Sequence, residues 1–537
     1  MTDFSQLTAL IIDPNSSMRA NLHNMLNMCH LTKIEHAVSA GTAIRQLKGR
    51  AYDIIICEYD LGDGQDGQQL LEDLRHNQII SLWAIYFIVT AERAYEKVVS
   101  AAELGPTDYI LKPFTADMLL ERIVRALDKR AIFQPVHQLI GQSRLHEAVQ
   151  VCAEGATSQP RYASDFMRLR AEMHMALGED QQAEAIYRQL LEMRTVAWAR
   201  LGLAKALYHQ ERLNDAESIL KELVAENSKY MDAYDWLAKT HEKIGQLAQA
   251  QKVLQDAVAI SPHAVRRLRK LGEVALAAGD AGIAERSFKQ VLSKARYSEF
   301  RDPEDHVKLV KSLVANGDTQ QAAAVIRDLQ KSMNDNHKTP ACSALSSALL
   351  HEALGDAERT AQELEAAVAA CRGSSAMSAE MKMVLANTCL ANNLAQGASD
   401  VMLDVMNNAA NGAEMAKAKS VFERHGRADL AEKIAQESRR QVVELVSSGA
   451  DKARQGDYKA AVEAMQAALQ KLPDNSQVNF NAAVACLKYL ENLGWDHQIG
   501  ERCRLLIDRV RQLEPANPHL PSLAELHRRL MRKYGLG

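Results

Sequence analysis

The sequence predicts a doubly wound α/β domain followed by an all-α solenoid of helical hairpins, and three observations predict it. Over about the first 125 residues, short apolar runs alternate with amphipathic segments, the pattern of parallel strands covered by helices on both faces. After about Arg130 the strand signals stop. Beyond that point, residues of one type recur 34 positions apart, the length of a two-helix repeat.

Five strand-like runs lie at Leu7–Asp13, Lys33–Val38, Asp53–Tyr59, Ala84–Thr90 and Thr107–Lys112. Helical patterns separate and follow them at Ser17–Met28, Gly41–Lys48, Gln68–His76, Glu96–Leu104 and Ala116–Ala126. The run DIIIC is apolar without alternation, as expected of a strand buried on both faces. In open parallel sheets, functional groups gather at the carboxyl ends of the strands. Here those ends carry Asp13, Glu58, Thr90 and Lys112.

The repeat is measurable. Leu203, Leu237 and Leu271 keep the 34-residue step, and so do Ala216, Ala250 and Ala284. The small residues Ala204, Ala238 and Gly272 keep it, as do the bulky Leu220, Leu254 and Phe288. Small residues let paired helices approach, and bulky ones fill the groove between neighbours. The clearest copies span 164–196, 197–230, 231–264, 265–298, 303–336, 341–374 and 442–475, with a half-degenerate one around Arg130–Glu154. Residues 375–440 are helical in composition without a fixed register. Residues 476–537 read as capping helices, one ending near Pro515, with a charged last helix. The expected domains are therefore 1–128 and 129–537.

A chain of 537 residues is too long for one core. Its 47% hydrophobic and 25% charged residues are ordinary for a soluble folded protein. A net charge of -4 gives no reason to expect nucleic acid or a membrane surface as partner. The eight cysteines are scattered without a CxxC pair, so neither a disulfide framework nor a zinc site is expected. The N-terminus lacks the features of a signal peptide, and no apolar run approaches the ~20 residues of a membrane span. A reducing, cytoplasmic location is the expectation.

Several motifs are set aside on context. HEALGD at 351–356 contains a Glu-Ala-Leu string, but it falls where a repeat hairpin turns. GDGQDG at 62–67 lacks the Lys-Ser/Thr of a P-loop and reads as the turn after the third strand. The 17 histidines include no HExxH. The basic stretches 263–270 and 527–533 read as solvated helix faces. No helix-turn-helix follows the first domain, so direct DNA binding is not supported.

The N-terminal motifs LIIDPNSSMR, DIIICEYDLGDGQDG, IVTA and DYILKPF, in that order at strand ends, resemble the receiver domain of two-component response regulators. That resemblance implies a flavodoxin-like or CheY-like five-stranded parallel sheet. It also implies an acidic phosphoacceptor closing the third strand, an acidic pair holding Mg²⁺ after the first, and a Thr, a Lys and an aromatic residue as the switch. Those roles fall on Thr90, Lys112 and Tyr109, with Pro113 following in a bond that is usually cis in the family. Two positions depart from the pattern. Pro14 replaces one acid of the pair, leaving Asp13 as a weak metal ligand. The phosphoacceptor position is Glu58, with Asp60 the alternative after a two-residue slide that keeps the side-chain face.

Beyond residue 130 the copies at 231–264 and 442–475 resemble the tetratricopeptide family. The first carries Tyr234, Leu237, Ala238, Gly245, Leu247, Ala250, Leu254, Ala257 and Pro262. The second carries Leu445, Gly449, Gly456, Tyr458, Ala461, Met465, Ala468 and Pro473.

Together the resemblances imply a non-catalytic adaptor of phosphorelay signal transduction, without a cofactor. The first domain would meet a histidine kinase or a sibling response regulator through the surface after the fifth strand. The repeats would bind a protein or peptide in their groove. Two states of the first domain stay open. One is fixed as active-like by Glu58 paired to Lys112. The other is inert and kept for docking or homodimerisation. A conventional phosphorylated switch and an assembly scaffold of an envelope or motility machine are the competing functions.

Overall fold

The computed structural model describes residues 4, 6–28, 30–62, 66–81, 83–91, 106–142, 144–193, 196–262, 264–296, 301–371, 376–409, 412–514 and 517–536. The chain divides into two compact units, Met1–Arg301 and Asp302–Gly537.

The first unit begins with five strands, β1 (Thr8–Ile12), β2 (Lys33–Ala37), β3 (Ile54–Glu58), β4 (Ile85–Thr90) and β5 (Asp108–Leu111). All pair in parallel, in the order β2-β1-β3-β4-β5. Successive residues of a strand face opposite sides. Accordingly Leu10, Ile12, Ile55, Cys57, Tyr86 and Ile88 build one core under α2 (Ala40–Gly49) and α3 (Gly67–His76). Ala9, Ile11, Ile54, Ile56, Phe87 and Val89 build the other under α1 (Ser16–Met28) and α4 (Ala116–Gly141). The strand and helix positions follow the sequence reading within a residue or two, except α4. The expected helix 96–104 lies outside the described residues.

Helix α4 was expected to stop at Ala126 and instead runs 26 residues to Gly141. No glycine or proline interrupts it before Pro135, so nothing in the backbone ends the helix where the strand–helix pattern ends. Its second half puts Phe133 and Val136 into a core with Cys152 of α5 (Leu145–Ser158) and Phe166 of α6 (Ala163–Ala176). The expected limit at 128/129 thus lies inside one continuous helix.

Hairpins follow: α6 with α7 (Asp180–Met193), α8 (Ala197–His209) with α9 (Leu213–Glu226), α10 (Met231–Ile244) with α11 (Leu247–Ile260), and α12 (Val265–Ala278) with α13 (Ala281–Lys294). Gly245 ends α10 at φ +89, a left-handed conformation that glycine adopts without strain. The small-against-bulky pairing is direct. A Cβ on Gly272 would fall 2.6 Å from the Phe288 ring, and one on Gly202 2.3 Å from Tyr187.

The second unit is α14 (Pro303–Ala315), α15 (Thr319–Ser332), α16 (Thr339–Ala353), α17 (Ala357–Ala370), α18 (Ala379–Ala391), α19 (Ala395–Asn407), α20 (Gly412–Glu423), α21 (Ala428–Arg454), α22 (Tyr458–Lys471), α23 (Ser476–Leu493), α24 (His497–Leu513) and α25 (Leu520–Lys533). The Glu-Ala-Leu string closes α16 at a hairpin turn. The region without a readable register contains α18 to α20 and runs into α21, whose 27 residues include the first helix of the 442–475 copy. A buried glycine inside α21, Gly449, sits against Met465 of α22. Among the described residues no helix is long and apolar enough to cross a membrane.

Candidate functional site

The carboxyl ends of β1, β3 and β4 and the loop after β5 open into one cleft, lined by Asp13, Glu58, Tyr59, Asp60, Thr90 and Lys112. Parallel pairing puts them there. Ile12 sits beside Cys57, Glu58 beside Val89, and Thr90 beside Leu111, so each strand delivers its next residue to the same edge. The backbone N–H of Lys112 donates to Thr90 O at 2.8 Å, which fixes the β5 loop to the end of β4. The Lys112–Pro113 bond is cis.

The Lys112 ammonium donates to Glu58 Oε2 and lies 3.9 Å from Asp13 Oδ2. The pair is withdrawn from solvent, with 12% of the Glu58 side chain and 19% of Lys112 exposed. Such a pair is far less screened than a surface one. Glu58 Oε1 accepts backbone N–H bonds from Tyr59 at 3.1 Å and Asp60 at 3.4 Å. Those bonds hold the carboxylate over the end of its own strand. Asp60 lies beyond the strand on the exposed rim, where its Oδ1 accepts from Gly62 N at 3.0 Å.

Asp13 is almost fully buried, and its Oδ1 accepts from Asn15 N at 2.7 Å. Its Oδ2 accepts no hydrogen bond among the described residues. Arg19, one helical turn into α1, donates to the carbonyls of Asp13 and Pro14 at 2.6 and 2.9 Å. Thr90 is buried at the floor.

Tyr109 packs with the α2–α3 core, its buried hydroxyl without a hydrogen-bond partner among the described residues. Burial, and then the neighbouring Tyr59, push its pKa well above the ordinary tyrosine range. Burial likewise pushes up the Cys57 thiol, directly before Glu58.

The donor set fits a divalent cation poorly. Pro14 contributes no oxygen side chain, and both remaining carboxylates face the Lys112 ammonium, which a metal would have to displace. Among the described residues, no three His, Cys, Asp or Glu side chains group to hold a metal.

Two features, one at this site and one outside it, went unread in the sequence. Gly67 opens α3 so close to β3 that a Cβ there would fall 2.4 Å from Glu58 O. The Tyr86 hydroxyl then donates to Gly67 O at 3.0 Å. The DG pair at 66–67 was the available signal, read only as a turn. The other is Arg267, placed on a solvated face by the sequence and in fact 2% exposed. It is clamped by Asp235, a partner 32 residues away that periodicity does not reveal.

A response regulator receiver domain model matches residues 9–124. Tetratricopeptide repeat models match 207–272 and, separately, 169–231, 307–381 and 449–488. Chemotaxis protein CheY-3 of Vibrio cholerae is 29% identical over 120 residues, 22% of this chain and 91% of that protein. Chemotaxis protein CheY of Pseudomonas aeruginosa is also 29% identical over 120 residues, 22% of this chain and 95% of its own. Among solved structures, a CheY-like receiver from Methanospirillum hungatei aligns at 24% identity and a TM-score of 0.22, covering 24% of this chain and 98% of its own. Part of a TPR repeat-containing protein from Cytophaga hutchinsonii aligns at 13% identity and a TM-score of 0.36, covering 44% and 95%. The chain therefore carries a response regulator receiver domain at its N-terminus, followed by tetratricopeptide repeats.

Proposed function

We propose that the protein is a non-catalytic, cytoplasmic signalling adaptor whose receiver, over residues 1–128, is held active-like without a phosphoryl group, and whose repeats, over 129–537, bind a partner protein. The observation that carries this reading is the bond from Lys112 to Glu58. In a receiver the lysine answers negative charge that arrives with the phosphoryl group. Here a carboxylate one methylene longer than aspartate supplies negative charge permanently, above the buried Thr90.

No metal is required in this reading, because the ammonium already neutralises Glu58 and faces Asp13. The kinase or sibling regulator that meets the receiver would then read a fixed surface. A homodimer through the same domain is compatible with it. The competing function, a phosphorylated switch, would use Asp60 on the cleft rim.

Incubation of the full chain with acetyl phosphate and Mg²⁺, read on a phosphate-affinity gel, separates the two. The expected result is no shifted band for the wild type or for Asp60→Ala. A shifted wild-type band that Asp60→Ala abolishes and Glu58→Ala keeps would refute the proposal.

A further inference from the structure

The receiver makes a second set of polar contacts inside the unit Met1–Arg301, away from the cleft. Helix α3 carries Glu72, whose Oε2 lies 3.8 Å from Nη2 of Arg267 on α12. On its other side Arg267 donates to both carboxylate oxygens of Asp235 on α10, Nε at 2.8 Å and Nη2 at 3.1 Å. Arg266 reaches the same carboxylate at 3.0 Å. Trp83, after α3, stacks on His137 of the extended α4 with ring centres 5.1 Å apart, which fixes the receiver against the first hairpins. The charged groups facing Glu72 belong to first helices of consecutive repeats: Arg267 and Arg266 of α12 attract it, and Asp235 and Asp232 of α10 repel it.

The same helices carry further cations next to this seat, among them Lys243, paired to Glu211, and Lys270, paired to Glu242. Lys239 lies one turn beyond Asp235, with its ammonium 4.2 Å from the centre of the Trp236 ring and 5.0 Å from that of Tyr208. Its pKa is pushed down, by burial first and then by the repulsion of Lys243, Lys205 and Lys270. Cations held on ring faces and crowded by like charge gain when a carboxylate arrives.

We propose that this face of α10 and α12 is part of the partner-binding surface of the repeats, that it takes a helix presenting carboxylates, and that the receiver's own α3 occupies it until an acidic partner segment takes its place. The inference rests on the reading that the repeats bind a partner. Burial dominates at Glu72 and raises its pKa to about 7, against the attraction of Arg267 and Arg266. The receiver thus holds on by a costly buried charge, which a better-placed acidic helix can replace.

The test uses the full chain and a synthetic peptide copying residues 66–78, with binding followed by fluorescence anisotropy. Glu72→Lys sets a cation against Arg267 and empties the seat, and Glu72→Gln keeps it filled without the buried charge. Glu72→Lys is expected to bind the peptide at least about tenfold more tightly than the wild type, in which the site is filled, and Glu72→Gln no more tightly than the wild type. A peptide with lysine at the Glu72 position is expected to bind none of them. Hydrogen exchange of the α12 amides is expected to quicken in Glu72→Lys. Equal or absent peptide binding across the three proteins, or unchanged α12 exchange in Glu72→Lys, would overturn the proposal. Neither readout depends on Glu58, so a failure here and a failure of the phosphoryl-independent reading are separate results.

Discussion

Replacing Gly272 by alanine is expected to loosen the α12–α13 hairpin, although alanine is the better helix former. An ideal Cβ at that position lies 2.6 and 2.7 Å from Cε2 and Cζ of Phe288. Comfortable carbon contacts begin near 3.5 Å, so ring and helix must part by roughly 0.8 Å. Phe288 is fully buried, with no open space to retreat into. Helix propensity favours the alanine by about 1 kcal/mol. Overpacking a close-packed site costs about 1–3 kcal/mol. The clash matches or outweighs the propensity gain, and the net loss is about 0–2 kcal/mol. Gly282→Ala in α13 is the control, since its nearest neighbour is Asp280 Oδ1 at 3.7 Å and only propensity acts there. Native-state hydrogen exchange reads each hairpin locally, and a loss of up to about 2 kcal/mol appears as up to roughly 30-fold faster exchange. Slower exchange in Gly272→Ala, or equal behaviour of the two variants, would refute the packing argument.

Other outcomes follow from the same structure. Glu72 has its pKa raised to about 7 from an ordinary 4.5, so the seated receiver binds a proton that the released one has lost. Its favourable contribution is complete below about pH 4.5, fades as pH rises through 7, and amounts to about 3 kcal/mol at most. Arg266, Arg267, Asp232 and Asp235 are the charged groups facing it. Exchange of the α12 amides, corrected for intrinsic rate, should therefore quicken between about pH 4.5 and 7 in the wild type, level off above that, and stay flat in Glu72→Gln. Cys371, Cys389 and Cys486 are buried, and burial raises their thiols to about 11, 12 and 11. A thiol reagent should reach them only as the second unit opens in urea, and rapid labelling of the native chain would contradict the packing described for them. Lys112→Met leaves the Glu58 carboxylate withdrawn and unpaired, and should cost about 3–5 kcal/mol, part of which Glu58→Gln/Lys112→Met recovers.

Much of this was legible in the sequence, because the readable signals are local. DIIIC marks β3, and the residue that closes it, Glu58, does close it in the structure. The same logic places Asp13, Thr90 and Lys112 at one sheet edge, since parallel strands in register end together. The step linking Ala204, Ala238 and Gly272 has a physical counterpart in Phe288 packed on Gly272. What escaped depends on missing punctuation or on distant partners. Helices α4 and α21 run on because no residue near Ala126 or Val442 breaks a helix. Arg267 looks like one more cation in VRRLRK, and only the arrival of Asp235 and Glu72 in space buries it. The packing of Tyr109 on the α2–α3 core comes from tertiary contacts that strand periodicity does not encode.

The central claim is that a built-in carboxylate holds the lysine that would otherwise wait for a phosphoryl group. Nitrogen-15 NMR of the lysine ammonium groups tests it most directly. The account predicts that Lys112 in the untreated protein gives a distinct, slowly exchanging ammonium signal, that Glu58→Gln erases it, and that Asp60→Asn leaves it in place. An averaged, solvent-like Lys112 signal in the wild type, or a bound signal lost in Asp60→Asn rather than Glu58→Gln, would contradict it.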